Sequence, residues 1–236
     1  MKKVAFALML LTAPAFAHGT SAAWYGGQIA ETDDLRIEFA IREGTVHAWV
    51  REHSDAAKTA AGKATLLLNG RKVEVVFGPD GQGLVAEAPV TAADRVVAVL
   101  SLIVDGKSVS ARFTQEALVI PATLSPAAQI GKQAFDANCS PCHGTSLRGG
   151  DKAPPLLHPY YAPGSDHGDG VILAAMKDGA KMHMWKFGDM PKPEGLKAEQ
   201  REMVLAYIRA MQEANGLTAM GPEMAPESHH HHHEEH

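Results

Sequence analysis

Both cysteines of the 236-residue chain stand in one short stretch, Cys139-Ser140-Pro141-Cys142, with His143 directly after the second. Two thiols two residues apart, followed by an imidazole, could form a redox dithiol, supply half of a zinc site, or attach a haem through two thioethers. Zinc would need two further ligands at the usual spacing, and the chain has no third cysteine. A thioredoxin-like dithiol sits between a strand and the helix it opens, and no strand pattern precedes Gln133. As a structural disulfide, the pair would close too short a loop to stabilise much. On a helix, Cys139, Cys142 and His143 stand at i, i+3 and i+4, one face, so two sulfurs and an imidazole could meet a haem from the same side.

The elements that must position these groups are legible around them. Residues 125–143, "SPAAQIGKQAFDANCSPCH", read as one helix with Ser125 as N-cap and Pro126 in its first turn. A second helix is predicted towards the C-terminus, where Met203, Val204, Tyr207, Ile208 and Met211 make an apolar stripe that stops at Asn215-Gly216. Upstream, from Leu35 to about Ile120, short alternating runs are separated by turn signals. Asn69-Gly70 and Asp105-Gly106 are the strong hairpin dipeptides among them. The expected architecture is two domains: an N-terminal all-β sandwich of seven or eight strands over residues 18–121, then an all-α domain over 126–217. Gly78 to Gly83 are spaced as a turn and do not form a nucleotide fingerprint.

The ends read differently. Lys2 and Lys3, a short apolar run and Ala15-Phe16-Ala17 make residues 1–17 an expected signal peptide, cut so that His18 becomes the first residue. The expectation is therefore a periplasmic protein with no stable membrane span after cleavage. The formal charge of −5, more negative once the two signal lysines leave, argues against a nucleic-acid partner. Residues 218–236 lack periodicity and are expected to be a disordered tail rich in histidine and glutamate. His229, His230, His231, His232, His233 and His236 make it either a metal-binding segment or a functionless one.

With its surroundings, "CSPCHG" resembles a class I, monohaem cytochrome c, and the resemblance covers about Pro126 to Leu217. It implies one covalent haem c, thioethers from Cys139 and Cys142, and His143 as proximal iron ligand. Met190, followed by Pro191, matches the family's distal methionine; Met182, His183 and Met184 lie close enough to be alternatives. Pro154, or Pro155 beside it, matches the prolyl carbonyl that accepts a hydrogen bond from the proximal imidazole. Gly131, Phe135 and Tyr207 fit the places where the two helices cross. Arg148 and Lys186 could pair with haem propionates or be solvated, and Trp185 and Phe187 could line the haem or belong to the core. Such a protein is an electron carrier with a redox partner protein, because two side-chain ligands leave iron no open position for a substrate.

The β domain offers a different chemistry. His18 at a free N-terminus would present an amine and an imidazole together, and His53 or His47 could complete a three-nitrogen copper site. The plain alternative makes His47 an exposed strand residue beside Trp49. The domain resembles exported copper-handling domains only broadly. The competing functional expectations are therefore a one-electron carrier, a copper-handling protein whose β domain and tail couple to the haem, an electron-transfer subunit of a larger oxidoreductase, and a gas sensor.

Overall fold

The structure, a computed structural model, describes residues 23–218. The expected signal peptide, His18 and the tail histidines lie outside these residues. Nine strands form two antiparallel sheets: β1 (Gln28–Glu31), β2 (Leu35–Arg42), β3 (Thr45–Glu52), β7 (Gly83–Glu87) and β6 (Gly78–Asp80) lie in the order β1-β2-β3-β7-β6. The second sheet runs β5 (Arg71–Val76), β4 (Ala60–Leu68), β8 (Val96–Val104), β9 (Lys107–Gln115). One apolar core lies between them, built from alternate residues such as Ile37, Phe39 and Ile41 of β2, Val46, Ala48 and Val50 of β3, and Leu66, Leu100 and Leu102 opposite. The two hairpin dipeptides turn as their composition demands: Asn69 and Gly70, and Asp105 and Gly106, all have positive φ. The stretch read only as a turn, Gly78 to Gly83, is a short hairpin that adds β6 to the sheet edge.

The second half is helical. Ser125 caps α1 (Pro126–Asn138), its side chain accepting from Ala128 N at 3.2 Å. The single helix expected over 125–143 is in fact two, because α1 ends at Asn138 and a one-turn helix, α2 (Ser140–His143), follows. Pro141 explains the break, since it has no N–H to continue the ladder and its ring crowds the carbonyl four residues earlier. Side chains bond the carbonyls of the last turn, Asn138 Nδ2 donating to Ala134 O at 2.8 Å and Ser140 Oγ to Asp136 O at 2.8 Å. A 3₁₀ turn (Pro159–Tyr161), α3 (Asp169–Asp178) and α4 (Ala198–Ala214) complete the domain.

Helices α1 and α4 cross at Gly131. A Cβ there would overlap the carbonyl of Met203, so only glycine lets the backbones approach this closely. Beside the crossing, Phe135 and Tyr207 rings meet at 5.5 Å between centroids. Among the described residues no helix is long and apolar enough to cross a membrane.

The two halves share an interface built on the outer face of the first sheet. Glu38 on β2 is fully buried and accepts from three backbone N–H groups, Trp24 at 2.7 Å, Tyr25 at 2.8 Å and Gly27 at 2.9 Å. The segment held in this way reaches the helical domain at two places. Gly26 packs against the Pro155 ring, and Trp24 O accepts from Lys186 N at 2.7 Å. Arg42 Nη2 donates to Tyr25 O at 2.6 Å, and Arg148 Nη1 reaches back to Ala92 O at 2.9 Å. Asn215 at the end of α4 exchanges two hydrogen bonds of 2.9 Å with Val119 in the connecting segment.

Three substitutions, one of them a control, test these contacts. Gly131→Ala should cost about 2–3 kcal/mol of unfolding free energy in urea, because the new methyl meets backbone. Gly170→Ala in α3, where a Cβ meets nothing within 4 Å, should be neutral or slightly stabilising in the same assay. Glu38→Ala should cost about 3–5 kcal/mol, since it takes the acceptor from three part-buried N–H groups and removes one of the carboxylates that pair with the Arg51 guanidinium, another being Asp55 at 3.1 Å. A loss below about 1 kcal/mol would show that the carboxylate does not hold the segment.

Candidate haem site

The site starts from one turn of helix. His143 N donates to Cys139 O at 2.9 Å and Cys142 N to the same oxygen at 3.1 Å, so the separate α2 keeps the two thiols and the imidazole on one turn. Both cysteines are free thiols despite their spacing. Cys139 is buried, and burial together with its neighbour Cys142 pushes its thiol up to about 11.

His143 is buried, and its Nδ1 lies 2.9 Å from Pro154 O. A carbonyl can only accept, so Nδ1 carries the proton and the neutral ring presents a lone pair at Nε2, which makes no hydrogen bond among the described residues. Burial holds this imidazole below its ordinary pKa, against the weaker pull of the Pro154 bond. The ring is thus neutral at neutral pH, as an iron ligand must be.

The loop between His143 and Pro154 is tightly wound. Leu147 is fully buried at φ +59, a conformation that disfavours a branched side chain. It is held by core packing and by its carbonyl, which accepts from Leu156 N at 2.8 Å and Leu157 N at 3.0 Å. The hydroxyl of Ser146 is buried with no hydrogen-bond partner among the described residues. Two free thiols, a tautomer fixed with its Nε2 lone pair unengaged and a buried hydroxyl without a partner among the described residues fit a large group bound at this turn.

The candidate distal residues lie on the loop after α3. Met190 exchanges backbone hydrogen bonds of 2.8 and 3.0 Å with Ala180, and Gly179 lies so close that a Cβ would come within 2.5 Å of Met190 O. Met190 is partly buried, as is Met184, whereas Met182 is more than half exposed. His183 has other partners, its Nδ1 near Lys181 O at 2.9 Å and its Nε2 near the Tyr160 hydroxyl at 2.8 Å.

The remaining predicted residues face the domain interface or the core. The Arg148 guanidinium bonds to the β domain, and the Lys186 ammonium sits 2.9 Å from the centroid of the Trp24 ring. Trp185 is buried, its Nε1 donating to the Tyr161 hydroxyl at 3.1 Å. Phe187 meets Tyr25 edge-on at 5.9 Å. Trp24 and Tyr25, on which these contacts converge, carry no motif that would single them out in the sequence.

His47 and His53 are not brought together. They stand six residues apart along β3 and just past its end, about 15–20 Å on an extended strand. His53 is exposed, its Nε2 3.0 Å from Thr32 O. His47, instead of being exposed, is buried against Trp49, with Thr45 Oγ1 3.0 Å from Nε2 and Asp151 of the helical domain 3.6 Å away. Among the described residues, no three His, Cys, Asp or Glu side chains are grouped to hold a metal ion.

Burial holds His47 below the ordinary imidazole value, outweighing Asp151, which favours the cation. A base whose pKa is depressed by folding contributes fully above the unfolded value of about 6.5, and that contribution is lost as pH falls through it. Between pH 7.5 and 5.5 the wild type should therefore lose more urea stability than His47→Gln. Equal losses would show that His47 is not held neutral.

Residues 128–212 match the family model Cytochrome c, so the helical half is a cytochrome c domain and its chemistry is haem-based electron transfer. No curated protein and no solved structure matches the chain significantly.

Proposed function

We propose, from a C-terminal half that is a cytochrome c domain, that the protein is a periplasmic one-electron carrier with a single covalent haem ligated by His143 and Met190. The observation that carries this reading is the turn at Cys139–His143, where two free thiols flank an imidazole whose Nδ1 proton is committed to Pro154 O. A haem bound there supplies an Fe(II)/Fe(III) couple.

The chain's own residues do the rest. Cys139 and Cys142 form the thioethers, and the His143–Pro154 bond orients the imidazole and raises its basicity as a ligand. The Ala180–Met190 bridge and the close approach of Gly179 fix the backbone that presents the Met190 sulfur. Held by both His143 and Met190, the haem iron would pass electrons without binding a substrate. The β sandwich, docked on the loops either side of the site, is the surface on which a redox partner is recognised. Copper handling has no comparable observation behind it, since the β-domain histidines within the described residues hold separate partners.

The test is spectroscopic. Met190→Ala should abolish the long-wavelength methionine-to-ferric-iron absorption band and lower the reduction potential, with haem still attached. Met184→Ala and His183→Ala should keep both. Loss of the band in Met184→Ala with its retention in Met190→Ala would move the ligand and refute the assignment.

A further inference from the structure

A second constellation lies between the 3₁₀ turn and the loop that carries Met190. His167 Nε2 and His183 Nε2 face each other at 3.4 Å, and the Tyr160 hydroxyl lies 2.8 Å from the same His183 nitrogen. The Tyr160 and His167 rings are stacked at 3.9 Å, which holds the His167 plane in place. The two imidazole planes are nearly parallel, 19° apart.

The proton inventory makes this more than a hydrogen-bond cluster. His183 Nδ1 lies 2.9 Å from Lys181 O, which only accepts, so in the neutral ring Nε2 carries a lone pair aimed at His167 and Tyr160. A ring nitrogen bonded to a backbone carbonyl while the other points into a group of donors is the outer-shell arrangement that orients metal-bound histidines. The carbonyl is itself placed, because Asp189 holds Lys181 Nζ at 2.6 Å and Met182 N at 2.9 Å. Two nitrogens on one tetrahedral zinc-like ion, each at 2.0–2.1 Å, lie about 3.3–3.4 Å apart. The observed nitrogen separation matches that edge.

We propose that His167, His183 and Tyr160 form a binding site for a divalent cation of the zinc class, with water as the fourth ligand. The ion takes the place of the proton shared between the phenol and His183, which leaves to solvent, and the phenolate oxygen moves out by about half an ångström to reach the tetrahedral edge. Occupancy ties the segment around Pro159–His167 to the loop 181–190, and so braces the backbone that presents Met190. The site is separate from the iron, and it takes His183 out of contention as an iron ligand.

The test uses the full chain with His229, His230, His231, His232, His233 and His236 changed to alanine, so that the tail cannot compete for metal. Titrated with Zn(II), this haem-loaded protein should bind one equivalent, with X-ray absorption showing two imidazole nitrogens and raised thermal stability. The long-wavelength methionine band should not change. His167→Ala and His183→Ala should each weaken binding by more than the 10–100-fold typical of losing an outer-shell partner, and Tyr160→Phe by about tenfold. Absence of a one-equivalent site, an absorption spectrum without two imidazoles, or equal affinity in His183→Ala would overturn the proposal. A wild-type protein without the methionine band that gains it in His183→Ala would overturn it too, by placing that ring on the iron, and that result is distinct from failure of zinc to bind.

Discussion

A single buried carboxylate sets how the two halves of this molecule meet. Glu38 points from the face of a strand that by alternation should look at water, yet it is fully buried, because three backbone amides of the segment Trp24–Gly27 and the Arg51 guanidinium close over it. A carboxylate removed from water is costly unless its lone pairs are satisfied, and here the satisfying groups are mostly backbone. That dictates the path of the segment, and the segment in turn touches Pro155 on one side and Lys186 on the other. The loop whose Pro154 holds His143 and the loop that carries Met190 are thus braced from the same short piece of β-domain chain.

The interface this creates is polar and layered. Arg42, His47 and Arg51 are each buried on the outer sheet face, and Asp151 of the helical domain comes within 3.9 Å of Arg42 and 3.6 Å of His47. Trp24 stands near two cations, Arg51 at 4.6 Å and Lys186 at 2.9 Å from its ring, one from each domain. Cation–π contacts and hydrogen bonds to carbonyls fix relative orientation through direction and distance, which an apolar patch of the same area would not do.

Much of this was legible in the sequence because it depends on local rules. The hairpins at Asn69-Gly70 and Asp105-Gly106, the Ser125 cap, the apolar stripe of α4 and the spacing of Cys139, Cys142 and His143 are each determined within a few residues. The close crossing at Gly131 was legible only through family likeness, since a lone glycine in a helix does not say what approaches it. What stayed hidden depends on contacts between distant parts of the chain. Arg42, Glu38 and Arg51 read as a solvated face by alternation and are buried because another domain covers them. His47 is buried for the same reason, and the helix breaks at Cys139 because Pro141 interrupts an otherwise helical run. The grouping of Tyr160, His167 and His183 brings residues 7 to 23 positions apart onto one spot, and no periodicity announces it.

The change in sequence pattern between Pro121 and Pro126 suggests where one would cut the gene to obtain two independent modules. Residues Trp24–Gly27 make that cut misleading. They are inherited with the sandwich and anchored by its Glu38, but they serve as lining for the other half, and without that half the sheet would present buried arginines, a histidine and two tryptophans to solvent. The chain therefore has two cores and one seam that neither core owns, and mutations at Trp24, Tyr25 or Gly26 would be inherited as changes to both.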